Sequence, residues 1–181
     1  MQEHGWKTLR AKLIGTISLR EVELPTGKRI DYLVVSYPEA VGILALTPDK
    51  EVIMVGQYRY AVEEYSWEIP AGNRDADESV EDCARRELEE ETGYRAEQID
   101  LLFSFHPSNG ATNQVVHLCL ASDLTLVAPS LTHKEPIEET IRVEPVPFNE
   151  ALNKALRGEL HDAATVIALL LYAERERALT A

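Results

Sequence analysis

The chain has 181 residues, 45% of them hydrophobic, with 31 acidic against 18 basic side chains and a formal net charge of −13. That is enough apolar material for one core, so a single domain is expected. A field this negative argues against nucleic-acid backbones and anionic membranes as partners.

Residues 6–37 alternate as strands do, through Ile14-Gly-Thr-Ile17-Ser-Leu19 to Leu24, a Pro25-Thr26-Gly27-Lys28 turn and Ile30 to Val35. They predict an N-terminal β-hairpin. Val41 to Leu46 and Val52 to Val55 are short strand-like runs around Pro48-Asp49-Lys50, and Leu101 to Phe105 and Val115 to Leu120 are two more. Ile141 to Val146 adds another, with Pro145 and Pro147 weakening its end. Phe148 to Arg157 and Ala163 to Ala178 read as helices, the second with an apolar stripe at Val166, Ile167, Leu169, Leu170 and Leu171. Strands before and after a central helix, followed by C-terminal helices, predict an α/β fold with a mixed sheet covered on both faces.

That central helix is the informative element. Asp75 and Glu78 stand at capping-box spacing and Gly93 offers a stop, which predicts a helix from about 76 to 91. At about 100° per residue, Glu87, Glu90 and Glu91 share the inward side with Val80, Cys83, Ala84 and Leu88. Glu78, Glu81 and Glu89 fall toward the solvent side. Three inward carboxylates repel each other and lose hydration unless a cation neutralises them. Oxygen-coordinated Mg²⁺, or Mn²⁺, suits them, especially where phosphate oxygens complete the coordination. A solvated glutamate-rich helix is the alternative.

The longer pattern decides between the two. Gly72, Glu78, Arg86-Glu87-Leu88, Glu90-Glu91 and Gly93-Tyr94 resemble the Nudix box, Gly-x5-Glu-x7-Arg-Glu-aliphatic-x-Glu-Glu-x-Gly-aliphatic, with Tyr94 at the final aliphatic position. Gln57-Tyr58-Arg59-Tyr60-Ala61-Val62, Trp67-Glu68-Ile69-Pro70-Ala71-Gly72 and His106-Pro107-Ser108-Asn109-Gly110 resemble segments flanking the box in ADP-ribose and nucleotide-sugar pyrophosphatases. The likeness covers roughly residues 41–148. Asn113-Gln114 stands where many of those enzymes carry an acid, so the resemblance implies nucleoside diphosphate sugars broadly rather than ADP-ribose alone.

The resemblance implies a Nudix α/β/α sandwich over residues 39–181, preceded by a dimerising hairpin over 1–38. It implies Mg²⁺-dependent hydrolysis of ADP-ribose or a nucleoside diphosphate sugar to a nucleoside monophosphate and a sugar phosphate, in a homodimer. Dinucleoside polyphosphate or NAD(H) hydrolysis, or a non-catalytic nucleotide-sugar-binding module, are the alternatives. Carried over by position, Glu87 and Glu91 are the main metal ligands, Glu90 a further ligand or a water-orienting acid, and the Ala71 carbonyl another ligand. The catalytic base corresponds to a loop glutamate before the last strand, where Glu139 matches by its spacing to Ile141-Arg142-Val143 and Glu138 comes next.

Other assignments rest on side-chain chemistry. Arg86 suits charge-assisted buttressing of the glutamates, including Glu90 at i,i+4, better than substrate contact. A planar guanidinium makes Arg59 the leading phosphate contact, with a surface ion pair as the alternative. Trp67 and Tyr32 offer faces for a base but equally suit a core. Glu68 suits a ribose or water at the metal. Glu78 suits an orienting ion pair or a first-turn dipole contact. Gly72 suits a tight loop, and Gly93 a helix stop. His106 and His117 lack zinc-site spacing and read as structural.

Ala163 to Ala173, broken by Thr165, is too short to cross a bilayer. Met1 to Trp6 shows no charged-then-apolar leader, and Cys83 and Cys119 read as free buried thiols. A cytoplasmic protein is expected.

Overall fold

The computed structural model describes the backbone of residues 7–14, and residues 16–127 and 141–180 in full. The chain divides into two compact units.

The first unit is an antiparallel sheet of β1 (Lys7–Ile14), β2 (Ile17–Glu23) and β3 (Arg29–Val35), in that order. The expected hairpin is therefore part of a three-stranded meander. The run from Ile14 to Leu24 is divided, because Ile14 pairs with Ile17 across the first turn. At the second turn Gly27 takes a φ of 80° and donates its N–H to the Leu24 carbonyl at 2.9 Å. Residues 106–115 belong to the same unit, and Val35 donates its N–H to Ala111 at 2.8 Å.

The second unit contains β4 (Ala40–Ala45), β5 (Glu51–Arg59), β6 (Glu64–Glu68), β7 (Ala71–Asn73), α1 (Val80–Thr92), β8 (Tyr94–Phe105), β9 (Val116–Leu126), β10 (Arg142–Pro147), α2 (Phe148–Leu156) and α3 (Ala163–Thr180). A mixed sheet runs β7-β4-β9-β8, with β4 and β9 parallel and the other pairs antiparallel. A second sheet runs β10-β5-β6. β10 is an edge strand there, which is where Pro145 and Pro147 can sit without removing a ladder donor from both sides.

β4 is buried on both faces, and its alternation sorts the core. Val41, Ile43 and Ala45 join Cys83, Ala84 and Leu88 of α1, while Leu44 and Leu46 join Ala168 and Leu169 of α3. Helices therefore cover opposite faces of this strand, as expected for a two-sided sheet. The stripe of α3 differs from the expected one. Thr165, Ala168 and Leu169 are its buried residues, whereas Leu170 and Leu171 are exposed, because a run apolar all round leaves the packing partner to choose the face. Thr165 also accepts the Ile69 N–H at 2.9 Å and donates to Asp162 at 2.7 Å, tying the approach to β7 to the start of α3.

Candidate active site

The helix starts later than expected. Ser79 is the N-cap of α1, its hydroxyl accepting the Asp82 N–H at 3.0 Å. Asp75 and Glu78 still make the reach-back of a capping box, since the Glu78 carboxylate accepts the Asp75 N–H at 3.2 Å. They close a turn before the helix rather than its first turn. At the other end Gly93 takes a φ of 74° and donates to the Glu89 carbonyl, the left-handed stop expected of it.

The inner face of α1 is acidic and buried. Glu87, Glu90 and Glu91 are only 7%, 8% and 6% exposed, alongside fully buried Cys83, Ala84 and Leu88. Carboxylates this buried require partners. The Arg86 Nη1 group donates to Glu87 at 2.6 Å and to Glu90 at 3.2 Å, while Glu91 accepts the Ala71 N–H at 3.0 Å. Ala71, Arg86 and the three glutamates are thus brought together, with Arg86 in the buttressing position.

Glu78 corrects the helical-wheel reading. It precedes α1, so the wheel does not apply to it, and a first-turn dipole contact is replaced by an ion pair. Its carboxylate accepts from Arg86 Nε at 2.8 Å and Nη2 at 2.9 Å. That hydrogen bond holds the Glu78 carboxyl below its ordinary pKa, against a smaller opposing effect of burial. The same bond, joined by those to Glu87 and Glu90, raises the pKa of Arg86. Arg86 also donates to the Asn73 carbonyl at 3.1 Å, anchoring the helix to the end of β7.

Gly72 is not in a tight loop. It lies within β7, paired with Val41, and its role is space. A Cβ there would overlap the Glu87 carboxyl group. The missing side chain allows the carboxylate to lie against the strand backbone.

Arg59 of β5 lies across from Glu64, and its side chain reaches along the ladder to Glu68 of β6, whose cross-strand partner is Val55. Arg59 Nε lies 3.0 and 3.2 Å from the two Glu68 oxygens, and Nη2 also pairs with Glu68. This bond raises the Arg59 pKa against burial, and the charges of Glu91 and Asp162 add to it. The ion pair foreseen as the alternative for Arg59 is therefore formed, with Glu68 buried rather than superficial. Trp67 packs against the core and meets Tyr65 edge to face at 6.0 Å. Tyr32, in the first unit, donates its hydroxyl proton to the Gly110 carbonyl at 2.8 Å. Glu138 and Glu139 lie outside the described residues.

Cys83 and Cys119 are buried and free, and burial pushes each thiol up to about 12. Among the described residues no three His, Cys, Asp or Glu side chains converge as a ready-made metal cluster, and no helix is long and apolar enough to cross a membrane. The donor chemistry nevertheless fits a hard divalent ion, since Glu87, Glu90, Glu91 and the Ala71 carbonyl offer only oxygen, and Gly72 opens space beside one of them. Glu39, Asn73 and Arg74 also bear on this region and nothing in the sequence singled them out. Their relation to the box depends on strand pairing rather than on any local motif.

Known proteins share the sequence pattern and the fold of this chain. The NUDIX domain model matches residues 36–169. An ADP-ribose pyrophosphatase of Bacillus subtilis (strain 168) is 37% identical over 151 residues, which are 83% of this chain and 80% of the relative. A methanol dehydrogenase activator of Bacillus methanolicus is 35% identical over 153 residues, 84% of this chain and 82% of the relative. The fold is shared with the crystal structure of an ADP compounds hydrolase, at a TM-score of 0.79 and 24% identity, covering 97% of this chain and 93% of that one. With Glu87, Glu90 and Glu91 of the box gathered on one buried helix face and the family model spanning well over half of the sequence, this chain belongs to the Nudix family.

Proposed function

We propose that this Nudix hydrolase cleaves the pyrophosphate bond of ADP-ribose or a related nucleoside diphosphate sugar, with Mg²⁺ or with Mn²⁺ in its place, to a nucleoside monophosphate and a sugar phosphate. The observation that carries this reading is the trio of buried glutamates on α1, gathered beside Ala71 and Gly72. The ADP-ribose pyrophosphatase relative supports the substrate class. Nudix hydrolases work with a divalent metal, and here Glu87, Glu91, Glu90 and the Ala71 carbonyl would hold it. When bound, such an ion screens the phosphate charges and stabilises the leaving phosphate.

The protein groups do the rest. Arg86 orients Glu87 and Glu90 through the bonds described above. Arg59, held in place by Glu68, presents its guanidinium to phosphate oxygens. Glu68 itself is the candidate for a ribose hydroxyl or for water at the metal, and Trp67 is the candidate within this unit for stacking on the base. Water attacks one phosphorus, the new O–P bond forming as the bridging P–O bond breaks. Glu139 takes the proton from that water, with Glu138 and Glu90 as the competing bases.

We also propose that residues 1–38 form a dimerising segment and 39–181 the catalytic domain. Support comes from Leu19 and Leu33, cross-strand neighbours that are 45% and 52% exposed, beside exposed Ile17. The free buried cysteines support a reducing compartment, the cytoplasm.

The test is a substrate panel with Mg²⁺, covering ADP-ribose, other nucleoside diphosphate sugars, dinucleoside polyphosphates and NAD(H), with products separated and Glu87→Gln as the blank. A monophosphate and a sugar phosphate are expected. Turnover of only dinucleoside polyphosphates or NAD(H) would move the substrate assignment. Tight nucleotide-sugar binding without any turnover would make the chain a non-catalytic module.

A further inference from the structure

A run of polar contacts leads away from the box through a histidine that the functional reading leaves unused. Ser104 Oγ on β8 lies 2.8 Å from His117 Nδ1 on β9, and His117 Nε2 lies 3.3 Å from a carboxylate oxygen of Glu39, next to β4. A neutral imidazole with its proton on Nε2 serves both bonds, accepting from the serine and donating to the glutamate. The same Glu39 oxygen accepts from Arg74 Nε at 2.8 Å and lies 2.7 Å from Nη2 in an ion pair. Arg74 then spends its remaining nitrogen on the main chain of the box, Nη1 donating to the Glu78 carbonyl at 2.5 Å.

The location of these bonds gives them consequence. Residues 74–79 connect the last residue of β7 to the cap of α1, and no sheet ladder includes them. Arg74 crosses that connection. Its backbone N–H reaches the Glu39 carbonyl at 2.8 Å, its guanidinium holds the Glu39 side chain, and its far end holds Glu78. Glu78 in turn aligns Arg86, and Arg86 contacts Glu87, Glu90 and the Asn73 carbonyl. This clasp adds a link between the two halves of the site, with Ala71 and Gly72 on the strand side and the glutamates on the helix side.

We propose that Arg74, Glu39 and His117 are positioning residues for pyrophosphate cleavage, acting through Glu78 and Arg86 on the inward glutamates. This rests on the functional reading above. The competing view is that Arg74–Glu39 is a surface ion pair. The arginine side chain is 24% exposed and the glutamate 40%, and pairs of that kind contribute little to stability. The two views separate in what is measured. A surface pair leaves turnover alone, whereas a clasp that aligns ligands acts on turnover and metal affinity even when the melting temperature barely moves.

The experiment compares Arg74→Ala, Arg74→Lys, Glu39→Gln and His117→Gln with the wild type in kcat and KM for ADP-ribose with Mg²⁺. It also measures Mn²⁺ affinity by electron paramagnetic resonance without nucleotide, and thermal unfolding. Arg74→Ala is expected to lower kcat about tenfold, the low end for partners that orient metal ligands, to weaken Mn²⁺ binding several-fold and to leave KM nearly unchanged. Glu39→Gln and His117→Gln are expected to follow with progressively smaller losses, and Arg74→Lys to recover part of the loss. Acting through Arg86, Arg74→Ala combined with Arg86→Lys should lose no more than Arg86→Lys alone. Independent, multiplying effects in that double variant, an unchanged kcat in folded Arg74→Ala, or a change confined to KM would each overturn the proposal. A wild type inactive toward the whole substrate panel would remove the functional reading instead. The Mn²⁺ measurement would still decide the clasp, with unchanged affinity in Arg74→Ala overturning it.

Discussion

Substituting Gly72 by alanine tests whether the glycine of the box exists to make room for Glu87. Gly72 is not among the glycines with positive φ, so its backbone accepts an L side chain. Taken alone, the change would stabilise the protein by about 0.4–1 kcal/mol through the unfolded chain. The added methyl, however, overlaps the Glu87 carboxyl group, which must retreat by about 1 Å or more before the contact becomes ordinary. That carboxyl is buried and held by Arg86, so it has little freedom to turn away. Misplacement of a reacting group by about 1 Å lowers turnover on the order of 10²-fold, or about 2.7 kcal/mol of transition-state stabilisation. Steady-state kinetics of Gly72→Ala with Mg²⁺ and ADP-ribose should therefore show kcat down about 100-fold, together with weaker Mn²⁺ binding. Because the effect runs through Glu87, adding Gly72→Ala to Glu87→Gln should lower kcat little further. A folded Gly72→Ala enzyme with wild-type kcat, or full multiplication of the two losses, would refute the reasoning.

Other outcomes follow from the same geometry. Glu139→Gln should lower kcat by about 10²–10⁴-fold with KM little changed if it is the general base; loss of that size only in Glu138→Gln or Glu90→Gln would reassign the role. Sedimentation of the purified protein should report about twice 20.3 kDa, and Leu19→Glu should shift it toward the single chain if the N-terminal sheet forms the dimer. The carboxyl of Glu78 has its folded pKa below the ordinary 4.5, so its pairing with Arg86 contributes fully above that pH and is lost as pH falls through the folded value. Urea midpoints of wild type and Glu78→Gln should accordingly differ at pH 7 and converge in acid. With both thiols pushed up to about 12, neither cysteine should react with a thiol reagent at pH 8 until the chain is unfolded, when two equivalents should titrate.

Sequence alone determined the chemistry of α1, because a helix repeats its faces over a few residues and the acids occupy one of them. Glu87, Glu90 and Glu91 could be placed inward from spacing, Gly93 could be read as the stop, β4 and the first half of β9 were legible as short apolar runs, and α2 as a helix, while β9 continues past the expected Leu120 to Leu126. The tertiary structure decided what spacing does not carry. Ser79 displaced Asp75 as the cap because the turn closed by Asp75 and Glu78 stands before the helix. Glu78 left the solvent side because Arg86 reaches back eight positions to it. Gly72 became a matter of volume only once β7 lay against Glu87, and Leu170 and Leu171 were left outside because β4 and β9 take another face of α3. The pairing of Arg74 with Glu39 spans 35 positions and exists because β7 pairs with β4, setting Asn73 opposite Ala40. Periodicity is a local property of a chain, whereas the partner that buries a face is chosen by pairings between segments far apart in it.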